Sequence, residues 1–364
     1  MEADPGPGFE QLSAASPTSV PISMPPETPA YRDRGTGLVV FGVAQIILGL
    51  LAALMIPFVA LGAFMSRMAP GGTMRPGQFI SGVATYAFMA AVLITLGIGS
   101  VQMKRWARAV TLVLSWYWLV MGALFTILLT AMLPMTIRGA LAQAQRNGPG
   151  GPSPELSTGI MAVIITFIII FVAVFLVIVP IAFIIFYGRK DVAETVRRRD
   201  PVERWTDRTP LPVLGASLIF AFGALYLLLV GLTTPLFPFF GRYLTGITAT
   251  LCFVLAAAFD AYISVALFRL QTAGWWTATL TLPIRLLSAA LTYGRADMMR
   301  AYSKMGMSNE QLKLLNSNPM FRGHVVLWWG LMSMVLLFFY LLWLKRYFKT
   351  AEPSPADAVP APAG

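Results

Sequence analysis

Five long stretches of this chain lack carboxylates altogether. Residues 35–66, 76–103, 109–137, 156–188 and 209–241 contain neither Asp nor Glu, and the nearest Lys and Arg sit at their edges. Bilayer hydrocarbon is roughly 30 Å thick and takes about 20 apolar residues at 1.5 Å each, so every stretch is long enough to cross it. In lipid the backbone must satisfy its own hydrogen bonds, which leaves helices or closed barrels. Runs such as Ile164–Val179 show no two-residue polar alternation, which excludes a barrel. The whole chain is 57% hydrophobic and only 12% charged, about half the charge of a soluble domain. The expected fold is an all-α, polytopic transmembrane helix bundle.

About eight spans are predicted, near 36–64, 78–102, 108–133, 159–188, 212–234, 243–268, 274–293 and 324–346. Pro57 and Pro283 interrupt two of them. Pro180 is the expected site of a kink in the long fourth span. Residues 1–33 and 350–364 are rich in Pro and small residues and are expected to be disordered tails. Residues 1–30 have no Lys or Arg and no apolar core, so no cleavable signal peptide is expected there. With the N-terminus inside, 16 bases fall on the cytoplasmic side and 10 outside, Arg285 within a span completing the 27. That bias predicts both termini in the cytoplasm of a bacterial inner membrane. If 274–293 is only interfacial, the C-terminus moves outside.

The two halves, 34–188 and 211–349, look alike. Each has a long first helix, a second helix and then a tight turn rich in Trp and bases: Met103 to Arg108 in one, Arg269 to Trp276 in the other. Each then has a third helix, a long polar external loop (134–158 and 294–322) and a last helix ending in aromatics and bases. Each loop offers a short amphipathic helix, Ile137 to Gln145 and Asn309 to Leu315, the second capped by Ser308. Even-numbered halves predict parallel tandem repeats related by an axis along the membrane normal. Against this stands the ordinary similarity of turns in any eight-span protein.

Between the halves runs a cytoplasmic linker, 189–210, containing Asp200-Pro-Val-Glu-Arg-Trp-Thr-Asp-Arg208. This Asp-Pro-x-x-Arg-Trp-Thr-Asp-Arg segment resembles uncharacterised multi-pass membrane proteins of bacteria. The resemblance covers about 20 residues of a family with no assigned activity, and so implies no function and no site residues. Arg197, Arg198, Arg199, Arg204, Trp205 and Arg208 are the linker's candidate membrane-surface residues. Its seven bases stand among five acids. That predicts a mixed-charge loop on the membrane surface, anchored by Trp205, rather than a dedicated lipid or nucleic-acid site.

Asp260 and Arg285 are the residues that an apolar span would not carry without reason. A lone charge in mid-bilayer costs on the order of 3 kcal/mol, so the two are expected to pair across neighbouring antiparallel helices. Such a pair either locks the helices or marks an ion or substrate pathway. Other chemistry is poorly provided for. His324 is the only histidine and Cys252 the only cysteine, too few for a usual zinc site. Ser264 lies one turn from Asp260 but lacks a general base. Gly49 and Ala53 fit close helix packing rather than a ligand. No catalytic residue, metal or cofactor is expected. The reading favoured is a non-catalytic subunit, assembly factor or scaffold that meets a partner through 134–158, 189–210 or 294–322. The alternative is a small transporter or channel using Asp260 and Arg285.

Overall fold

A computed structural model describes residues 32–68, 76–146, 166–233, 236–295 and 323–348, together with 163, 303, 312 and 313. Residues 1–31 and 349–364 and most of the two predicted external loops, including all but residues 312 and 313 of the helix expected at Asn309–Leu315, lie outside the described residues.

The chain runs through helices α1 (Gly35–Met68), α2 (Pro76–Val101) and α3 (Arg105–Arg146), then α4 (Thr166–Tyr187). The linker forms α5 (Lys190–Arg199) and a short 3-10 turn, Trp205–Asp207. Helix α6 (Leu211–Thr233) leads into a hairpin of β1 (Leu236–Phe239) and β2 (Arg242–Thr245). Helices α7 (Ile247–Phe268), α8 (Thr272–Arg295) and α9 (Gly323–Phe348) complete the chain. Among the described residues, seven helices are long and apolar enough to cross a membrane: α1–α4, α6, α7 and α9. The remaining predicted span, 274–293, is α8, which has the length but carries Arg285 and several threonines. Those hydroxyls turn inward on their own helix: Thr277, Thr279 and Thr281 donate to the carbonyls of Ala273, Trp275 and Thr277.

Small residues set how closely the helices approach. A Cβ built on Gly97 would lie 2.6 Å from the Gly42 carbonyl oxygen, and one on Gly42 would lie 2.8 Å from that of Gly97. Backbones that close cannot admit a side chain, so glycine is needed on both helices. Gly49 is equally tight against Ala90 and Ile94 on α2.

The turns after α2 and α7 share one geometry. Met103 and Leu270 each adopt a left-handed φ of 56°. The Met103 N–H donates to Ser100 and the Lys104 N–H to Gly99. Leu270 donates to Leu267, and Gln271 to Ala266. This is the Schellman ending of a helix. A Cβ on Gly99 would meet the Ala107 Cβ at 2.7 Å, and one on Gly274 would meet the Ala266 Cβ at 2.6 Å. Four residues before and four after the left-handed residue, the two turns therefore hold the same glycine–alanine contact with the partners exchanged.

A widened helical turn precedes Pro180. Proline removes the N–H that would bond to Leu176, and residues Val174–Ile178 form a π turn in which Val179 donates to Val174. Gly122 of α3 packs on this turn, where a Cβ would fall 2.3 Å from the Leu176 oxygen. Helix α3 continues through Arg146, so the segment expected as a separate amphipathic helix, Ile137 to Gln145, is its last turns.

Two apolar cores result. One joins Val213 and Phe220 of α6, Ile263 and Leu267 of α7, Trp275 and Leu282 of α8, and Leu341 and Leu344 of α9. The other joins Leu38, Phe183 and Tyr187 to Val192 and Val196 of the linker helix. The first part of the linker, Lys190–Arg199, is thus a docked helix rather than a loop. Replacing Gly97 by Ala should cost about 2 kcal/mol by forcing two backbones apart, whereas Gly62→Ala, with nothing within 4 Å, should be near neutral. Thermal unfolding of the detergent-purified variants compares the two.

Candidate functional site

Asp260 and Arg285 lie on α7 and α8, antiparallel neighbours joined by the turn at Leu270. The guanidinium Nη1 donates to Asp260 Oδ2 at 2.9 Å and Nη2 to Oδ1 at 2.5 Å. The fork therefore takes both carboxylate oxygens. The Asp260 side chain is 4% exposed and that of Arg285 27%. Gly223 of α6 faces the carboxylate, its Cβ position 3.6 Å from Oδ2. One turn toward the linker, Ser264 donates to the Ser217 carbonyl at 2.8 Å and Ser217 to that of Ser264 at 2.9 Å. Ser264 is thereby a clip between α6 and α7.

Sequence reasoning missed a second polar cluster, in the first half. Gln45 Nε2 donates to Thr111 Oγ1 at 3.1 Å, the Tyr187 hydroxyl reaches Gln45 Oε1 at 3.4 Å, and Ser100 Oγ bonds the Tyr187 hydroxyl. All four residues are buried, and they tie α1, α2, α3 and α4 together. The available signal was Gln45, the one amide in the apolar run of α1.

The linker is held by ions. Asp200 accepts from Arg204 Nε at 3.0 Å and Nη2 at 2.8 Å, and from the Arg105 N–H at 3.3 Å. The Arg204 fork, aided by that N–H and the nearby Lys104 charge, holds the Asp200 carboxyl below its ordinary range despite burial. Arg105 reaches Asp207 and the Arg197 carbonyl, each at 3.4 Å. Arg34 approaches Asp191 at 3.6 Å and its N–H donates to Thr195. Arg198 pairs with Glu194 and Arg199 with Asp33. Arg197 and Arg208 are exposed, and Trp205 is half-exposed with its ring against Phe268.

An apolar cleft of about 550 Å³ lies between α2, α3 and α6, its walls including Phe88, Tyr117, Phe222, Gly223 and Tyr226. Among the described residues no three His, Cys, Asp or Glu side chains are grouped as a metal would need. Cys252 is a free, half-buried thiol, and His324 stands in the first turn of α9.

Fold and site together define a multi-pass, α-helical integral membrane protein. Compared with known proteins, the chain matches no family model, no curated protein and no solved structure.

Removing one partner of the intramembrane pair leaves a charge without its counterion. Asp260→Asn should cost about 2–3 kcal/mol, and adding Arg285→Gln should recover part of that loss. A double-mutant cycle by chemical unfolding measures the coupling. Asp200→Asn should also destabilise the protein at neutral pH. The stability that Asp200 contributes is complete above the ordinary carboxylate range of about 4 and is lost as pH falls through its lowered value, so the gap between variant and wild type should close in acid.

Proposed function

We propose that this protein is a non-catalytic component of a bacterial inner-membrane assembly, a subunit, assembly factor or scaffold, with both termini in the cytoplasm. The observation that carries this reading is the closure of the intramembrane pair: each oxygen of Asp260 already holds one nitrogen of Arg285. Charges satisfied in that way hold helices together and leave no open ligand position. The partner meets the external loops 134–158 and 294–322 or the linker 189–210. Parallel duplication of two four-helix halves is part of the proposal. It is supported by the matched turns at Met103 and Leu270 and by the close pairs Gly42–Gly97 and Ser217–Ser264, whose second members each stand six residues before the left-handed residue.

One observation favours a second reading, a small transporter or channel. Gly223 belongs both to the wall of the apolar cleft and to the contact surface of Asp260. A solute in the cleft would then be one missing side chain away from the carboxylate.

Purification from the native membrane in mild detergent separates the readings. The component reading expects a partner in stoichiometric amount, reduced by substitutions in 189–210 or 294–322. A protein that elutes alone, together with flux lost in a folded Asp260→Asn variant, would replace it with the transporter.

A further inference from the structure

Outside the pair and the cleft, one group of side chains has unused chemistry. Arg105 and Arg108 stand three residues apart in the first turn of α3, so they share one side of the helix. The Nε of each is buried without a hydrogen-bond partner among the described residues, and so is the hydroxyl of Thr206. Thr206, 3% exposed, is the middle residue of the 3-10 turn whose Asp207 meets Arg105. The Arg108 side chain has no hydrogen bond or ion pair among the described residues, although Arg197 and Asp207 lie within its electrostatic reach.

The nearby acids are already committed. Asp200 is closed by the Arg204 fork, and Asp207 accepts from the Arg204 N–H at 2.9 Å as well as from Arg105. The two buried Nε–H donors and the buried hydroxyl remain without a hydrogen-bond partner among the described residues. An arginine nitrogen can only donate, and buried donors left empty call for water or an ion. With Arg105, Arg108 and Arg197 set against Asp207, the local charge favours an anion. The start of a helix adds its positive dipole end.

We propose that the first turn of α3 and the Trp205–Asp207 turn form a phosphate-binding site, with Arg108 as the anchoring cation and Arg105 Nε and Thr206 Oγ1 as further donors. The site lies where α3 enters its apolar span, the depth of lipid headgroups. The phosphate belongs either to an anionic phospholipid of that leaflet or to a soluble phosphate compound. Both present the same acceptor-only oxygens.

Two probes on the full chain test this and separate the sources. The first reconstitutes the protein in nanodiscs of phosphatidylcholine containing a minority of phosphatidylglycerol and reads bound phosphatidylglycerol by native mass spectrometry. The second follows thermal unfolding in detergent free of anionic lipid, with inorganic phosphate against chloride at matched ionic strength. A lipid site gives one retained phosphatidylglycerol, with occupancy falling about tenfold in Arg108→Gln, the loss of one charged hydrogen bond. Arg242→Gln, at an exposed residue of β2, leaves it unchanged. A soluble-phosphate site gives protection by inorganic phosphate that Arg108→Gln removes. If Arg108→Gln does not fold, Thr206→Val, which removes only the hydroxyl, carries the comparison. Equal lipid loss in the Arg108 and Arg242 variants, or no response to either probe, overturns the proposal.

Discussion

Bilayer hydrocarbon contains no water to answer a polar group, and the internal organisation of this protein is a response to that. Backbone amides are satisfied by forming helices, but side chains need partners supplied by the fold. Asp260 and Arg285 answer each other across α7 and α8. Gln45, Ser100, Thr111 and Tyr187 answer one another across four helices, and Ser217 and Ser264 exchange hydrogen bonds with each other's backbones. Each group joins elements that apolar packing alone would hold in no particular register, because lipid tails compete equally well for apolar surface. Specific arrangement therefore rests on polar contacts and on close backbone approach.

Close approach is built from glycine placed where another helix crosses. The Gly42–Gly97 crossing and the Gly122 contact with the π turn both set backbone directly against backbone. At Gly122 the neighbour is the Leu176 carbonyl, freed of its usual donor by Pro180, and a Cα–H beside it offers weak compensation. The proline, the widened turn and the glycine thus form one unit spread over two helices.

The spans were legible because a soluble fold rarely keeps more than 20 consecutive residues free of charge, and the Asp260–Arg285 pair because charges inside such runs are rare. Elsewhere, competing signals hid the structure. The hairpin of Leu236–Thr245 sits at the end of an apolar run and turns at Phe240 and Gly241, both with positive φ. Only the glycine advertises such a turn. Ser288 and Thr292 on α8 accept from the N–H groups of Phe240 and Gly241, a support that sequence separation conceals. The Gln45 cluster is uncharged and scattered over four helices, so no local window contains it. In the linker the abundance of charge masked Val192 and Val196, whose spacing marks the buried side of a helix.

The docking of α5 has a consequence for biogenesis. Val192 and Val196 come directly after α4 in the chain yet complete the core around Leu38, Phe183 and Tyr187. The first four helices alone would leave this core open, and the ten residues of α5 close it. The core of the first half is thus complete, in chain order, before α6 begins. The linker serves as the closing piece of the first half before it tethers the second, so a chain divided just after α4 would separate that half from part of its own interior.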